Sequence, residues 1–340
     1  MNRLAIRING RGNAWPVPLG EEHPFYASEG KTPDYGNASF SIIEQDNSGA
    51  VVKDLLIDAG HGIIPFLLTH GNRIPDALLL THPHFDHILG VDWIVQSCYR
   101  FRGKKRYPVY ATRGCREQTL QTLPHLQELV EFRELRYGVP VEIMEAPAIN
   151  VTAFPVYHGP HARGAAMLLF RQNKTDVKIL FTGDLLFPLL RRIDLEALVD
   201  LSWLVSDANN RFPWPRSNHW SVVRKIPEDN TYLDPWLKKL SVTDIMIPHN
   251  NLGFAEFSYL QESINDFSIA ERVLTVKEFA ELTSSRNILL THYSGLEDQK
   301  YYGEKILDGP AFKKWAAEQF HDKKVKVHVP ETEDILSVDR

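Results

Sequence analysis

The residues best suited to chemistry in this chain are three histidines and an aspartate within six consecutive positions. They are His82, His84, Asp86 and His87. Imidazole nitrogens and carboxylate oxygens suit zinc and similar divalent ions, and an open catalytic ion commonly takes about three protein ligands. A polar turn whose histidines only form hydrogen bonds is the alternative, and so high a density of ligand-type residues disfavours it. The segment therefore predicts two neighbouring metal ions.

Regular elements are expected on both sides of this ligand segment. The apolar run at residues 77–80 predicts a buried strand, and the apolar spacing at residues 88–96 predicts a helix. The ligands would then lie on a loop between a strand and a helix that begins where the ligands end. Rigid elements on both sides favour a functional loop.

Further ligand-type residues come at or just after the ends of other predicted strands. Asp58 follows the apolar run at 52–57, and the glycines after it permit a tight turn back toward the ligand segment. Strands predicted at 151–157, 177–182 and 288–291 lead to His158, Asp184 and His292. Each is a weak signal alone, because a polar residue at a strand end is usually only hydrogen-bonded, but a dinuclear centre needs additional ligands of this kind.

The chain of 340 residues alternates apolar strands with helical patterns, one of them at 116–137, which predicts an α/β architecture. A net charge of −5 argues against gripping a nucleic-acid backbone as the main task. The basic run at 100–106, interleaved with aromatic residues, is interpreted as a solvated loop in preference to a phosphate contact. The two cysteines, Cys98 and Cys115, have no metal-ligand spacing.

The sequence also predicts the location of the protein and its domain organisation. No run of about 18 apolar residues occurs and the first residues lack the apolar core of a signal peptide, so we expect a cytoplasmic protein with no membrane partner.

Residues 224–272 mix acidic and aromatic side chains and are too apolar for a disordered linker. We expect one domain over residues 1–340, with 224–272 as an inserted cap or interface, His249 as a pocket candidate there, and a last strand at 325–329.

The ligand segment resembles the signature of the metallo-β-lactamase superfamily, Thr-His-x-His-x-Asp-His-x-x-Gly. Its fixed positions are Thr81, His82, His84, Asp86, His87 and Gly90. The later strand-end residues match the superfamily's further motifs in order and spacing. The resemblance implies a four-layer αβ/βα sandwich holding two divalent ions, zinc with manganese as the alternative. His82, His84 and His158 would hold one ion, Asp86, His87 and His292 the other, Asp184 would bridge them, and Asp58 would orient the ligand loop.

Within the superfamily the chain is similar to the RNase Z-like phosphodiesterase branch. Residues 10–16 resemble that branch's Gly-x-Gly-Ser-x-x-Pro loop, and residues 55–62 and 290–294 resemble its strand-end motifs. The resemblance implies a dinuclear hydrolase in which a metal-bound hydroxide, positioned by Asp86, attacks a phosphodiester. His219, oriented by Asp207, would protonate the leaving alkoxide. Asp207 stands where the branch commonly has a glutamate.

The expected substrate is a cyclic nucleotide or a short RNA, and the expected assembly is a homodimer, as is frequent in the branch. His158 and Asp184 are 26 positions apart, which leaves no room for the long arm of tRNA-processing relatives and favours a small phosphodiester. One alternative is a hydrolase of a thioester, lactone or other carboxyl derivative, which would not need His219. The other is a metal-stabilised nucleotide-binding module without turnover, which the presence of all seven expected ligands disfavours.

Overall fold

Two β-sheets form the centre of the computed structural model, which describes residues 2–16, 20, 36–145, 148–159, 161–212, 219–223, 254–265, 275–321 and 325–338. The strands in chain order are β1 (Arg3–Gly10), β2 (Ser39–Gln45), β3 (Val51–Ile57), β4 (Ala77–Leu79), β5 (Tyr107–Ala111), β6 (Val130–Glu134), β7 (Val141–Glu145), β8 (Ala148–Tyr157), β9 (Ala166–Gln172), β10 (Lys178–Phe181), β11 (Phe187–Pro188), β12 (Trp203–Asp207), β13 (Asn287–Thr291), β14 (Lys326–His328) and β15 (Ile335–Ser337).

Each sheet combines an antiparallel part with a parallel part. The first has the strand order β15-β1-β2-β3-β4-β5-β6, and its pairs from β3 to β6 are parallel. The second has the order β11-β8-β9-β10-β12-β13-β14, with β7 paired to β8, and its pairs from β10 through β14 are parallel. The parallel strands within each sheet therefore end at a common edge.

Helices pack around the two sheets. Their bounds are α1 (Ile63–Thr69), α2 (Phe85–Ile88), α3 (Val91–Phe101), α4 (Arg113–Thr122), α5 (Asp194–Leu198), α6 (Phe254–Asn265), α7 (Val276–Leu282), α8 (Leu296–Tyr302) and α9 (Gly309–Gln319). No helix in the described ranges is long and apolar enough to span a membrane.

Alternation along the strands explains the layered packing. In β3, Leu55 and Ile57 belong to the central core between the sheets, while Leu56 packs in the cluster shared with α1 and α3. In β13, Leu289 lies in the central core and Leu290 packs in the cluster shared with α7 and α9. Because both sheets bury both faces, the layers run helix, sheet, sheet, helix, which confirms the predicted αβ/βα sandwich.

Three predicted boundaries were wrong. The helical pattern at 116–137 covers only α4, because the chain leaves the helix before Pro124 and residues 130–134 pair with β5 as a parallel edge strand. The helix was expected to begin after the ligands, yet Asp86 and His87 lie in the short helix α2. The predicted strand at 325–329 exists as β14, but β15 follows it and pairs with β1.

Most of the predicted insertion at 224–272, including His249, lies outside the described residues. Its described part is α6, which packs on the main body: Tyr259 Oη donates to Asp194 Oδ2 at 2.6 Å. The guanidinium of Arg191 lies 3.8 Å from the centre of the Tyr259 ring, and Leu260 is fully buried. The role of the whole segment as a cap or interface stays a prediction.

Candidate metal centre

The predicted ligands come from both sheets and meet at one place. Asp58, His82, His84, Asp86 and His87 follow strands β3 and β4 of the first sheet. His158, Asp184 and His292 follow strands β8, β10 and β13 of the second. Since each sheet supplies part of the set, the site can form only when the two sheets pack against each other.

A first group consists of three histidines. One ligand nitrogen each from His82, His84 and His158 lie within 4.8 Å of one another. The Nε2 atom of His82 and the Nδ1 atom of His84 are 3.2 Å apart. Three imidazole nitrogens converging on one point form a typical set of protein ligands for a divalent ion.

A second group adds carboxylates. Ligand atoms of Asp86, His87, Asp184 and His292 also lie within 4.8 Å of one another. Asp184 Oδ2 is 3.0 Å from His292 Nε2 and 3.4 Å from His87 Nε2. The same oxygen is 3.8 Å from His158 Nε2 and 3.9 Å from His82 Nε2, so Asp184 lies between the two groups.

The donor set fits two divalent ions. The Nε2 atoms of His87 and His292 are buried and lie 3.4 Å and 3.0 Å from Asp184 Oδ2, but neither has the geometry of a hydrogen bond with a described residue. Buried polar atoms are nearly always satisfied, and an unsatisfied pair of nitrogens facing carboxylates has a ready explanation in a cation between them. The residues would hold one ion among the three histidines and another in the mixed group.

Asp58 and its neighbours fix the ligand loop. Asp58 Oδ2 lies 2.8 Å from His87 Nδ1 and accepts from Thr81 Oγ1 at 2.6 Å, while Oδ1 accepts from the Thr81 backbone at 2.8 Å. Asp58 has φ of 57°, an unusual conformation that turns its carboxylate into the site. A Cβ on Gly60 would overlap the carbonyl oxygen of Asp86, so only glycine permits this close approach.

Asp207 and His219 form a hydrogen-bonded pair at the edge of the second group. His219 Nδ1 lies 2.7 Å from Asp207 Oδ2, and the His219 ring centre is 5.2 Å from that of His292. The other Asp207 oxygen lies 3.5 Å from His292 Nδ1. Burial lowers the pKa of His219, but the charge and hydrogen bond of Asp207 outweigh burial and raise it above its ordinary value.

Burial and charge divide the ligand histidines into two kinds. Burial lowers the pKa of His82 and His84, and lowers that of His158 to about 3, so these imidazoles are neutral and ready to bind a metal. For His87 and His292, burial is outweighed by Asp184 and neighbouring carboxylates, which raise the pKa. Metal binding at the second group would therefore release protons.

The site opens into a cleft of about 340 Å³. Its lining includes the ligands His84, Asp86, His158, Asp184 and His292, together with His219. Asn13, Trp15, Asn209 and Glu297 also line it. Among the described lining residues there is no lysine or arginine.

The sequence prediction assigned no role to four of the lining residues, Asn13, Trp15, Asn209 and Glu297. Asn209 Nδ2 donates to Glu297 Oε2 at 2.6 Å, and Asn13 Nδ2 donates to Asn209 Oδ1 at 2.8 Å. Asn13 and Trp15 belong to the loop at 10–16 that the motif comparison singled out, and Asn209 comes two positions after Asp207, which is a usable signal. Nothing in the sequence around Glu297 distinguishes it from an ordinary helix-surface glutamate.

Comparisons with known proteins agree with this geometry. A family model for the β-lactamase superfamily domain matches residues 53–204. Ribonuclease Z from Bradyrhizobium sp. (strain ORS 278) is 26% identical over 136 residues, and ribonuclease Z from Bradyrhizobium diazoefficiens is 28% identical over 134 residues. Each match covers 36% of this chain and 44% of the relative, so the chain spans less than half the length of the curated relatives it matches.

Solved structures extend the likeness over nearly the whole fold. A diphosphatase of the PhnP family has a TM-score of 0.60 at 19% identity, with 98% of both chains covered. The metallo-β-lactamase fold protein YhfI from Bacillus subtilis has a TM-score of 0.56 at 14% identity, with 98% of this chain and 99% of that one covered. At such identities the likeness establishes the fold.

The four-layer fold and the convergent histidines and aspartates agree with these similarities. Residues 53–204 are similar to the β-lactamase superfamily domain, and the chain has the fold of the metallo-β-lactamase-type structures named above.

Proposed function

We propose that this protein is a dinuclear metal-dependent phosphodiesterase. The observation that carries the proposal is the Asp207–His219 pair, 2.7 Å apart, set against the ligand His292. Hydrolysis of a phosphodiester expels an alkoxide, which needs a proton, whereas carboxyl hydrolases of this superfamily work without such an acid. The ribonuclease Z relatives support the same reaction class.

Some residues of the site would hold the metal ions, and others would position water or donate a proton. Divalent ions, when bound, polarise phosphoryl oxygens and lower the pKa of water. Asp184 and Asp86 supply the carboxylates of the second group, and Asp86, 13% exposed and lining the cleft, is placed to orient the attacking water. Asp58 holds the His87 ring through Nδ1, which leaves Nε2 as the ligand atom.

His219 is the proposed general acid. Asp207 engages Nδ1 of the imidazole, so Nε2 is the atom that delivers a proton to the leaving oxygen. The raised pKa of His219 keeps this proton available closer to neutral pH. Asp207 accepts from the backbone of Asn209 at 2.9 Å and donates its own backbone N–H to Thr182 Oγ1 at 3.0 Å, so the shorter side chain is rigidly held.

The proposed substrate is a small phosphodiester, with cyclic nucleotides ahead of short RNA. The net charge of −5 and the short interval between His158 and Asp184 support this choice. Zinc is the proposed metal, with manganese as the alternative, and a cytoplasmic homodimer is the proposed state. Analytical ultracentrifugation and metal analysis of the purified protein test these points.

Two leaving groups test the acid role. We expect His219→Ala to slow hydrolysis of adenosine 2′,3′-cyclic phosphate, which expels an alkoxide, by roughly 10²- to 10⁴-fold. Hydrolysis of bis(p-nitrophenyl) phosphate expels a stable phenolate, so His219→Ala should slow this reaction much less. Asp207→Asn should show the same dependence of the rate loss on the leaving group, but smaller losses, because the amide keeps the His219 ring in place without the negative charge.

Equal losses on both substrates would overturn the acid assignment. Hydrolysis of p-nitrophenyl acetate alone, unaffected by His219→Ala, would instead identify a carboxyl hydrolase. Binding of nucleotides with no turnover of any of these compounds would identify a binding module.

A further inference from the structure

The loop that carries Trp15 forms a fixed part of the cleft lining. The indole is 72% exposed, although the backbone beneath it is held. The Trp15 backbone N–H donates to Asn13 Oδ1 at 3.1 Å, and Asn37 Nδ2 donates to the Asn13 carbonyl at 2.7 Å. Asn13 itself is buried. A large exposed ring on a held loop in a cleft is a feature of ligand sites, since exposed apolar surface otherwise has an unfavourable hydration free energy.

Hydrogen bonds tie this loop to the proposed acid pair. Asn13 Nδ2 donates to Asn209 Oδ1 at 2.8 Å, and the Asn209 backbone donates to Asp207 Oδ1 at 2.9 Å. Asn209 Nδ2 donates to Glu297 Oε2 at 2.6 Å. Trp15 and Glu297 therefore hold defined positions relative to the reacting groups, in the same cleft.

The charges of the cleft limit the charge of its ligand. The described lining contains the carboxylates Asp86, Asp184 and Glu297 and no lysine or arginine. Sites for polyphosphates and long nucleic acids supply several cationic contacts. Here a phosphate at the candidate metal centre would have its counter-charge in the bound ions, while a second phosphate beside Glu297 would face a carboxylate.

We propose that Trp15 and Glu297 form a specificity subsite for a singly charged phosphodiester that carries a flat aromatic group. The inference rests on the proposed function. The Trp15 ring stacks on the aromatic group, a nucleobase being the natural one. Glu297 accepts a hydrogen bond from a hydroxyl or amino group and repels additional phosphates. The volume of about 340 Å³ suits a single nucleotide.

A pair of cyclic phosphodiesters isolates the stacking contribution. Adenosine 2′,3′-cyclic phosphate and ethylene glycol cyclic phosphate share the strained five-membered ring but only one has a base, and phosphorus NMR follows both. We expect Trp15→Ala to raise KM for the adenosine compound about five- to hundredfold, the range for a base on an aromatic side chain, and to leave the base-free compound unchanged. Trp15→Phe should recover most of the loss.

Trp93→Ala is the matched control, because Trp93 is 61% exposed on α3 and does not line the cleft. Equal effects of Trp15→Ala and Trp93→Ala, or equal effects on both substrates, would overturn the stacking role.

A second pair tests the charge selection. The wild type should discriminate against adenosine 2′,3′-cyclic phosphate that carries an added 5′-phosphate, and Glu297→Gln should narrow that discrimination. Glu318→Gln, an exposed glutamate on α9, should not. Unchanged discrimination in Glu297→Gln would remove Glu297 from the subsite.

Binding separates this inference from the proposed function. Adenosine 2′,3′-cyclic phosphate should quench the indole fluorescence of His219→Ala, and the quenching should be largely lost when Trp15→Phe is added. If the wild type hydrolyses no phosphodiester, the proposed function fails while this titration still decides the subsite. Quenching that is equal with and without Trp15 would contradict it.

Discussion

At the scale of single residues, the site depends both on the residues that would bind the metals and on the side chains that contact those residues. His87 and His292 each face a carboxylate through Nδ1, Asp58 at 2.8 Å and Asp207 at 3.5 Å. A hydrogen-bonded carboxylate such as Asp58 fixes the tautomer and direction of an imidazole, which would leave Nε2 to bind a metal ion. Asp58 follows β3 of the first sheet and is hydrogen-bonded to its histidine, whereas Asp207 ends β12 of the second sheet and lies near His292 Nδ1 without a hydrogen bond.

Asp58→Asn tests this orienting role. The amide keeps the size of the side chain and asparagine tolerates the left-handed backbone of position 58, but its Nδ2 cannot accept the hydrogen bond from His87. We expect metal affinity to fall about 10- to 100-fold, measured by competition with a chelating dye. Unchanged affinity in a folded variant would show that Asp58 is a packing residue only.

The two cysteines should differ in reactivity. Burial raises the pKa of Cys115 to about 12 and also raises that of the partly exposed Cys98. Alkylation requires the thiolate, and a raised pKa lowers the thiolate fraction at any pH below it. At pH 8 we expect slow modification of Cys98 and none of Cys115 by mass spectrometry, with both reacting after unfolding. Rapid labelling of Cys115 in the folded protein would contradict its burial.

At the scale of elements, short connections from strand to helix place the first-sheet ligands. The backbone of Ala59 donates to the His87 carbonyl, and the backbone of Gly90 donates to the Ala59 carbonyl, both at 2.7 Å. The turn after β3 therefore holds α2, which carries Asp86 and His87, in place. We call this pair of backbone hydrogen bonds the clasp. A ligand helix of four residues has little stability of its own and depends on this clasp.

Gly60→Ala should disturb the clasp. The added methyl group would meet the Asp86 carbonyl, and overpacking of this kind costs about 1–3 kcal/mol in the free energy of unfolding. Gly71→Ala is the control: its positive φ of 85° also imposes strain, but nothing lies near its Cβ. Urea unfolding should show a loss for both variants, and dye competition should show weakened metal binding only for Gly60→Ala. Normal metal binding by Gly60→Ala would refute the clasp.

Much of this arrangement could be predicted locally, and the rest could not. Strands β3, β4, β5 and β8 to β10 are apolar runs, and ligand-type residues at their ends are visible in the sequence. Helix α2 was missed because four residues give no periodicity, and β6 because its edge position leaves three of its five residues exposed. The bonds of Asn209 to Asn13 and to Glu297 join residues 196 and 88 positions apart, so they depend on how the whole chain packs.

At the scale of the whole molecule, the metal centre joins the two sheets. The first sheet supplies His82, His84, Asp86 and His87, and the second supplies His158, Asp184 and His292. Ions bound between them would act as cross-links, since their ligands are brought together only in the folded chain. Several buried carboxylates that repel one another would lose their counter-charge on metal removal.

Removal of metal should therefore destabilise the entire fold. A ligand that binds only the folded state stabilises it by about 2.7 kcal/mol when present at a hundred times its Kd. We expect a chelator to lower the Tm of the metal-loaded wild type clearly, by calorimetry, and to have a much smaller effect on Asp184→Asn, which lacks the shared carboxylate. An identical Tm with and without metal would mean that the site does not link the sheets.

The most direct test of a dinuclear phosphodiesterase is a metal titration followed by turnover. Chelator-treated protein would receive increasing zinc, with manganese in parallel, and hydrolysis of bis(p-nitrophenyl) phosphate would be measured at each step. We predict no turnover without metal and a rate that rises until two ions are bound per chain. Phosphodiester turnover that is indifferent to metal, or none at any metal content, would contradict the proposal.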